Sequence, residues 1–336
     1  MKKLLTIFLI LITTVFAFTG CGSETMGYQA QYWHENIATT GYHPFSEEVE
    51  YEVKVVNKTP SNSTEISNEY VKMEITSGKF ITTLKMEMDE DSKTPYYIYE
   101  TKLLIKGKYL FKGAEDEDVK EFENDVKSTT LFKTIVNEFM PISSTKSSSK
   151  TTTIIGATNG YAVYDFVYSY DINYGEKDAT SSYTLNSIGE TEISPIVKNY
   201  TYKKYNEKPY VDSELLLLLP RAFTYEKSFM KGFSTIDVIT QKTQSMTYYA
   251  GTEKTDVPDI KSFNLKYNLN GNDVGGEELK AAKVRVMINE TFSGAAMEAY
   301  YANDHETHRH RMVKCYTALN ESMGYLEYTI KNVIQK

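Results

Sequence analysis

The segment Val49-Glu50-Tyr51-Glu52-Val53-Lys54-Val55 alternates apolar and charged side chains, residue by residue. A period of two places one set on each face of an extended strand, so such a segment buries one face and wets the other. The alternation returns where Val71, Met73 and Ile75 interleave with Lys72, Glu74 and Thr76. It returns again where Tyr164, Phe166, Tyr168, Tyr170 and Ile172 face away from Val163, Asp165, Val167, Ser169 and Asp171. The 28 Tyr and 15 Phe of the 336 residues suit strands, because aromatic side chains fit a pleated, half-buried surface. No repeat of solenoid length is visible.

Punctuation residues divide these strands. Ser77-Gly78 and Lys106-Gly107 read as hairpin turns in an N-terminal meander, and Asn270 to Gly276 as a turn in a C-terminal one. Between them the period changes. Glu115-Asp116-Glu117-Asp118 precedes Val119, Phe122, Val126, Phe132, Ile135 and Phe139, a pattern that predicts a helix with an acidic first turn ended by Pro141. The Ser/Thr/Lys-rich residues 143–153 read as a loop or linker. They divide residues 46–142 (strands plus helix) from 154–336, whose strands and helix either stand apart from the first sheet or continue it. In the second part, Asp212 is expected to cap a helix over the leucines 215–219, which are apolar all round and therefore buried on most sides. The fold class expected is α+β: mainly antiparallel curved sheet with a few helices packed on one face.

The net charge is −8, or −10 without Lys2 and Lys3, which disfavours a nucleic-acid partner because phosphate binding needs a basic surface. Two cysteines cannot form a disulfide framework, and Cys315 sits in a strand pattern where a thiol is ordinarily buried and inert. Asp304, His305, His308 and His310 are the candidate metal ligands. Arg309 and Arg311 oppose a cation there, so a polar hairpin tip with no bound metal is expected, and no cofactor. No G-x-S-x-G elbow, P-loop or dinucleotide fingerprint is present, so the chain is expected not to be an enzyme. Tyr164, Phe166 and Tyr168 either pack on a covering element or face a ligand.

At the N-terminus, Lys2 and Lys3 precede an apolar run over residues 4–18, too short to span a bilayer but suited to a signal peptide. It ends in Phe18-Thr19-Gly20-Cys21, which resembles the lipobox of bacterial lipoproteins. The resemblance implies that residues 1–20 are a signal peptide and that Cys21 carries the lipid. Residues 21–45 would then be a lipidated tether and lead-in, and the body would face outward from the cell membrane. Two acyl chains anchor stably where one does not.

The order of meander, helix and meander over residues 49–333 resembles the half-barrel lipoproteins related to the periplasmic lipoprotein carrier. That resemblance implies a curved sheet wrapped around helices and an apolar cavity. The function expected is non-catalytic binding of an apolar or amphipathic ligand on the concave face. The alternatives are a structural or protein-partner-binding lipoprotein using the Tyr/Lys-rich residues 199–205, and a cell-envelope hydrolase.

Overall fold

The computed structural model describes residues 45–112, 118–135, 138–157, 160–189, 195–206, 209–251, 257–288, 297–304 and 307–336. Cys21 and residues 1–44 lie outside that set. The described residues form strands β1 (Phe45–Val56), β2 (Val71–Met88), β3 (Pro95–Phe111), β4 (Asp118–Ile135) and β5 (Glu138–Ala157). Next come β6 (Gly160–Tyr174), β7 (Asp178–Ile188), β8 (Ile196–Lys203), β9 (Phe229–Asp237) and β10 (Lys242–Ala250). The chain ends in β11 (Ile260–Leu269), β12 (Asn272–Ile288), β13 (Met297–Ala302), β14 (Met312–Ala318) and β15 (Tyr325–Gln335).

All belong to one sheet, in the order β8-β7-β6-β5-β4-β3-β2-β1-β15-β14-β13-β12-β10-β9, closed into a barrel. β11 pairs antiparallel with β12 and parallel with β15, completing a smaller ring from β11 to β15. The two ends of the long path also meet. Tyr202 Oη donates to the Asp237 carbonyl at 3.4 Å, and Lys198 Nζ to the Ile239 carbonyl at 2.6 Å. The free side of β9 is partly covered where Val211 N and Ser234 N bond the Ser234 and Pro209 carbonyls at 2.9 and 2.8 Å. Such covering keeps an unpaired edge from recruiting other chains.

The barrel is filled by its own chain. After Pro209 the backbone turns inward through two 3₁₀ turns, Ser213–Leu215 and Leu219–Ala222. Leu215, Leu218, Leu219, Ala222 and Phe223 are all at most 1% exposed. They pack with Val49, Tyr51 and Val53 of β1, Tyr248 of β10 and Tyr301 of β13 in one continuous core. Tyr248 Oη and Tyr301 Oη donate to the Leu216 and Leu217 carbonyls at 3.4 and 3.0 Å, so the wall satisfies plug backbone that has no helical partner. On the other face of β13, Tyr300 meets Phe263 of β11 edge to face at 5.0 Å. Hence every residue of β13 is buried.

An ion cluster fixes the far end of the plug. Arg221 Nη1 donates to Glu47 Oε1 at 2.6 Å, and Arg311 Nε to Glu47 Oε2 at 2.8 Å. Burial pushes the Glu47 carboxyl up, but Arg221 and Arg311 outweigh it and hold the group below the usual carboxylate range.

The expected α+β class is therefore corrected to an all-β barrel: among the described residues no helix exceeds four residues. The predicted helix after Asp118 is β4 running into β5. Phe122, Ser128, Thr130 and Phe132 share one buried face, so the period is two, with hydroxyls at two positions of that face. Pro141 sits opposite Phe132 at a register shift, which accommodates the missing N–H. Residues 143–153, read as loop or linker, lie within β5 and pair with β4 and β6. The leucine run is buried as expected but lies in two short 3₁₀ turns rather than an α-helix, with Pro220 in the first turn of the second.

Candidate functional site

Where the chain enters the barrel, a polar cluster holds it. Asp212 caps the first 3₁₀ turn, accepting from Glu214 N at 2.8 Å. Its carboxylate also accepts from Ser144 Oγ at 3.2 Å and Tyr174 Oη at 2.6 Å. Ser144 Oγ in turn lies 3.0 Å from Thr130 Oγ1, so the inward hydroxyls of β4 and β5 exist to meet this turn. Two residues on, Glu214 Oε1 receives Lys146 Nζ at 2.9 Å and Tyr170 Oη at 2.5 Å.

The two carboxylates are driven apart in acidity. Burial raises the Asp212 carboxyl to about 6, with the Glu214 charge adding to the effect and its hydrogen bonds opposing it. For Glu214, burial acts upward as well, but Lys146 and the Tyr170 hydroxyl prevail and keep the carboxyl low. Such a pair resembles an acid and a base. Here Asp212 is fully buried, however, and its bonds to Ser144 and Tyr174, like those of Glu214 to Lys146 and Tyr170, join the plug to the wall.

Tyr174 links this cluster to the surface. Its ring belongs to a group of three tyrosines, with centroids 5.5 Å from Tyr205 and 6.2 Å from Tyr210, while Tyr205 and Tyr210 meet edge to face at 4.7 Å. The three rings line a cleft of about 790 Å³, built from the ends of β2, β4 and β6 and the start of β5, together with Leu131, Met140 and Ile142. Met140 and Ile142 are more than a third exposed, apolar side chains left to water beside a concave surface. That volume falls in the range of small-molecule sites, and the lining mixes these aromatic and aliphatic side chains with Glu87, Asp89, Glu90, Lys133 and Glu176.

The residues singled out from the sequence are scattered. Cys21 and His305 lie outside the described residues. Asp304 Oδ2 is 3.5 Å from His308 Nε2, and His308 Nδ1 is 2.5 Å from Tyr267 Oη. Burial lowers the His308 imidazole's basicity, against the pull of Asp304. His310 points elsewhere, its ring 5.1 Å from that of Tyr225. Among the described residues no group of three His, Cys, Asp or Glu could hold a metal ion. Tyr164, Phe166 and Tyr168 are half-buried in β6; Tyr168 packs against a core cluster, with the Phe166 ring 6.0 Å away. Cys315 is fully buried in β14, and burial pushes its thiol well up. Sequence reasoning missed Tyr210, Met140 and Ile142, and read Tyr205 as part of an exposed contact strand, whereas it is 6% exposed, because the cleft joins segments far apart in the chain.

The chain matches no family model and no curated protein. Among solved structures it is similar to the crystal structure of a beta-barrel-like protein of domain of unknown function DUF1849 from Brucella abortus. The identity is 7%, with 87% of this chain and 98% of that chain covered and a TM-score of 0.38. An overlap that loose carries no argument about function.

Proposed function

We propose that the protein is a non-catalytic binding protein, tethered outside the cytoplasmic membrane through Cys21, that holds an amphipathic ligand in the tyrosine-lined cleft. The carrying observation is the cleft itself: about 790 Å³, with Tyr174, Tyr205, Tyr210, Met140 and Ile142 in its lining. The concave interior of the barrel is not the site, because Leu215, Leu218, Leu219 and Phe223 already occupy it. The buried Asp212 and Glu214 anchor the plug rather than meet a substrate, which speaks against a hydrolase. The cleft also opens beside the start of β1, where Phe45 pairs with Met86 two residues before Met88 of the lining. The tether therefore joins the body at the end that bears the cleft.

A neutral apolar fluorophore, N-phenyl-1-naphthylamine, tests the site. Its emission is expected to rise saturably with the purified chain, and its affinity to fall at least tenfold in Met140→Asp/Ile142→Asp. Unchanged binding in that variant, or none in the parent, overturns the reading. Cys21→Ser is expected to abolish labelling by a radioactive fatty acid; retained labelling overturns the anchor.

A second reading, partner binding, draws on β8. It ends the sheet, and Val197 and Tyr200 on it are 68% and 44% exposed.

A further inference from the structure

We propose that the ligand of this cleft is a cationic amphiphile, an organic ammonium ion joined to an apolar body. The proposal rests on the cleft being the binding site and adds the charge of what it binds. The apolar part of the lining would take any greasy molecule, so the choice of head group lies with the charges around it.

Four carboxylates line the cleft: Glu87, Asp89, Glu90 and Glu176. Lys133 is the one cationic residue among the described lining residues, and it is already engaged. Its Nζ lies 3.9 Å from Asp89 Oδ2 and donates to Thr94 Oγ1 at 3.3 Å. Asp89 itself is turned toward its own loop, accepting from Asp91 N and Ser92 N at 3.0 Å each, and those bonds hold its carboxyl low. Glu87 accepts from Tyr96 Oη at 2.7 Å. Four negative charges against one positive make a surface that repels anionic head groups and draws in cations.

The partly exposed tyrosines add to the same preference. An aromatic face carries negative potential, so a cation near Tyr174 and Tyr210 is attracted beyond the effect of the carboxylates. Apolar side chains, aromatic rings and carboxylates in one lining together describe a molecule with a greasy body and a positive end. A free inorganic cation would leave the apolar lining unsatisfied, and a fatty acid would meet the rim with like charge.

Displacement of N-phenyl-1-naphthylamine by probes of equal chain length separates the charge from the site. Octyltrimethylammonium, octyl sulfate and octyl glucoside are titrated below their micellar concentrations. Octyltrimethylammonium is expected to displace the dye at a concentration at least tenfold lower than either other probe. That advantage should shrink at least threefold in 0.5 M salt, through screening, and in Glu90→Gln/Glu176→Gln, whose side chains are exposed. Equal or stronger displacement by octyl sulfate or octyl glucoside overturns the charge preference and leaves the cleft reading standing. A cationic preference untouched by the double variant and by salt also overturns it. Failure of all three probes, with the dye itself unbound, overturns both.

Discussion

Asp212 shows how one buried carboxyl couples the plug to solvent pH. Its folded-state value of about 6 lies above the ordinary unfolded value of about 3.9, so the folded chain holds this proton more tightly. Stability from this group is fully present below about pH 4 and is lost as pH rises through 6, by about 3 kcal/mol. Other carboxylates, Glu47 among them, have the opposite sign, so the effect is read by difference. In Asp212→Asn the acceptor for Glu214 N and Ser144 remains while the titration goes. Urea midpoints from pH 4 to 7 should therefore give a variant that gains on the parent as pH rises; a constant offset would show that Asp212 does not titrate in this window. Glu47 predicts a larger loss. Glu47→Ala strands the buried guanidinium groups of Arg221 and Arg311, and breaking such a cluster costs about 3–5 kcal/mol. A drop below 1 kcal/mol in urea titration would mean that water replaces the carboxylate.

The plug is the element that distinguishes this barrel from an empty one. Leu219 is fully buried, whereas Leu216 keeps partial contact with solvent. Leu219→Ala should then cost about 2–5 kcal/mol and Leu216→Ala clearly less, measured as shifts in the urea midpoint. Equal small shifts would show that the plug packs loosely. What the sequence disclosed of such elements depended on which residues face inward. β1 was legible from its pattern, because Val49, Tyr51 and Val53 alternate with Glu50, Glu52 and Lys54 and are the residues it buries. β4 was not: Thr130 faces the interior to meet Ser144, which in turn bonds Asp212 68 residues further on, a link that no local period reveals. Glycines misled for a related reason. Gly78 and Gly107, read as turns, lie inside β2 and β3, where a Cβ would collide with the Val53 and Glu74 carbonyls. A strand glycine can mark close backbone approach as well as a turn. By contrast Asn270-Gly271, both at positive φ, does join β11 to β12, as such a dipeptide should. The cleft was invisible in the sequence, since its lining comes from β2 to β6 and the plug's approach.

Across the whole molecule the burial is uneven, and that sets the order in which parts open. One large core joins β1–β5, the plug and β10–β15. A second, smaller cluster holds β6–β9 through Ile172, Ala179, Tyr183, Tyr202, Tyr205, Ile236 and Val238. Among the described residues β8 has a ladder partner only in β7, and it meets β9 through the side-chain bonds of Lys198 and Tyr202 and the packing of Tyr202 with Ile236 and Val238. Segments with few buried apolar contacts and exposed backbone bonds open locally at a free energy below that of global unfolding. Native-state hydrogen exchange should accordingly show β7 and β8 exchanging through a sub-global opening, while β1 and β15 exchange only with global unfolding. Tyr202→Phe should sharpen the contrast, speeding exchange in β8 and leaving β1 unchanged, because it deletes the bond to the Asp237 carbonyl without opening a cavity. Residues 143–153 form the opposite test. As part of β5, hydrogen-bonded on both sides, they should exchange with the slow class. Fast exchange across them together with β8 would mean that the sheet yields at β5, and that the large core ends one strand earlier than its packing indicates.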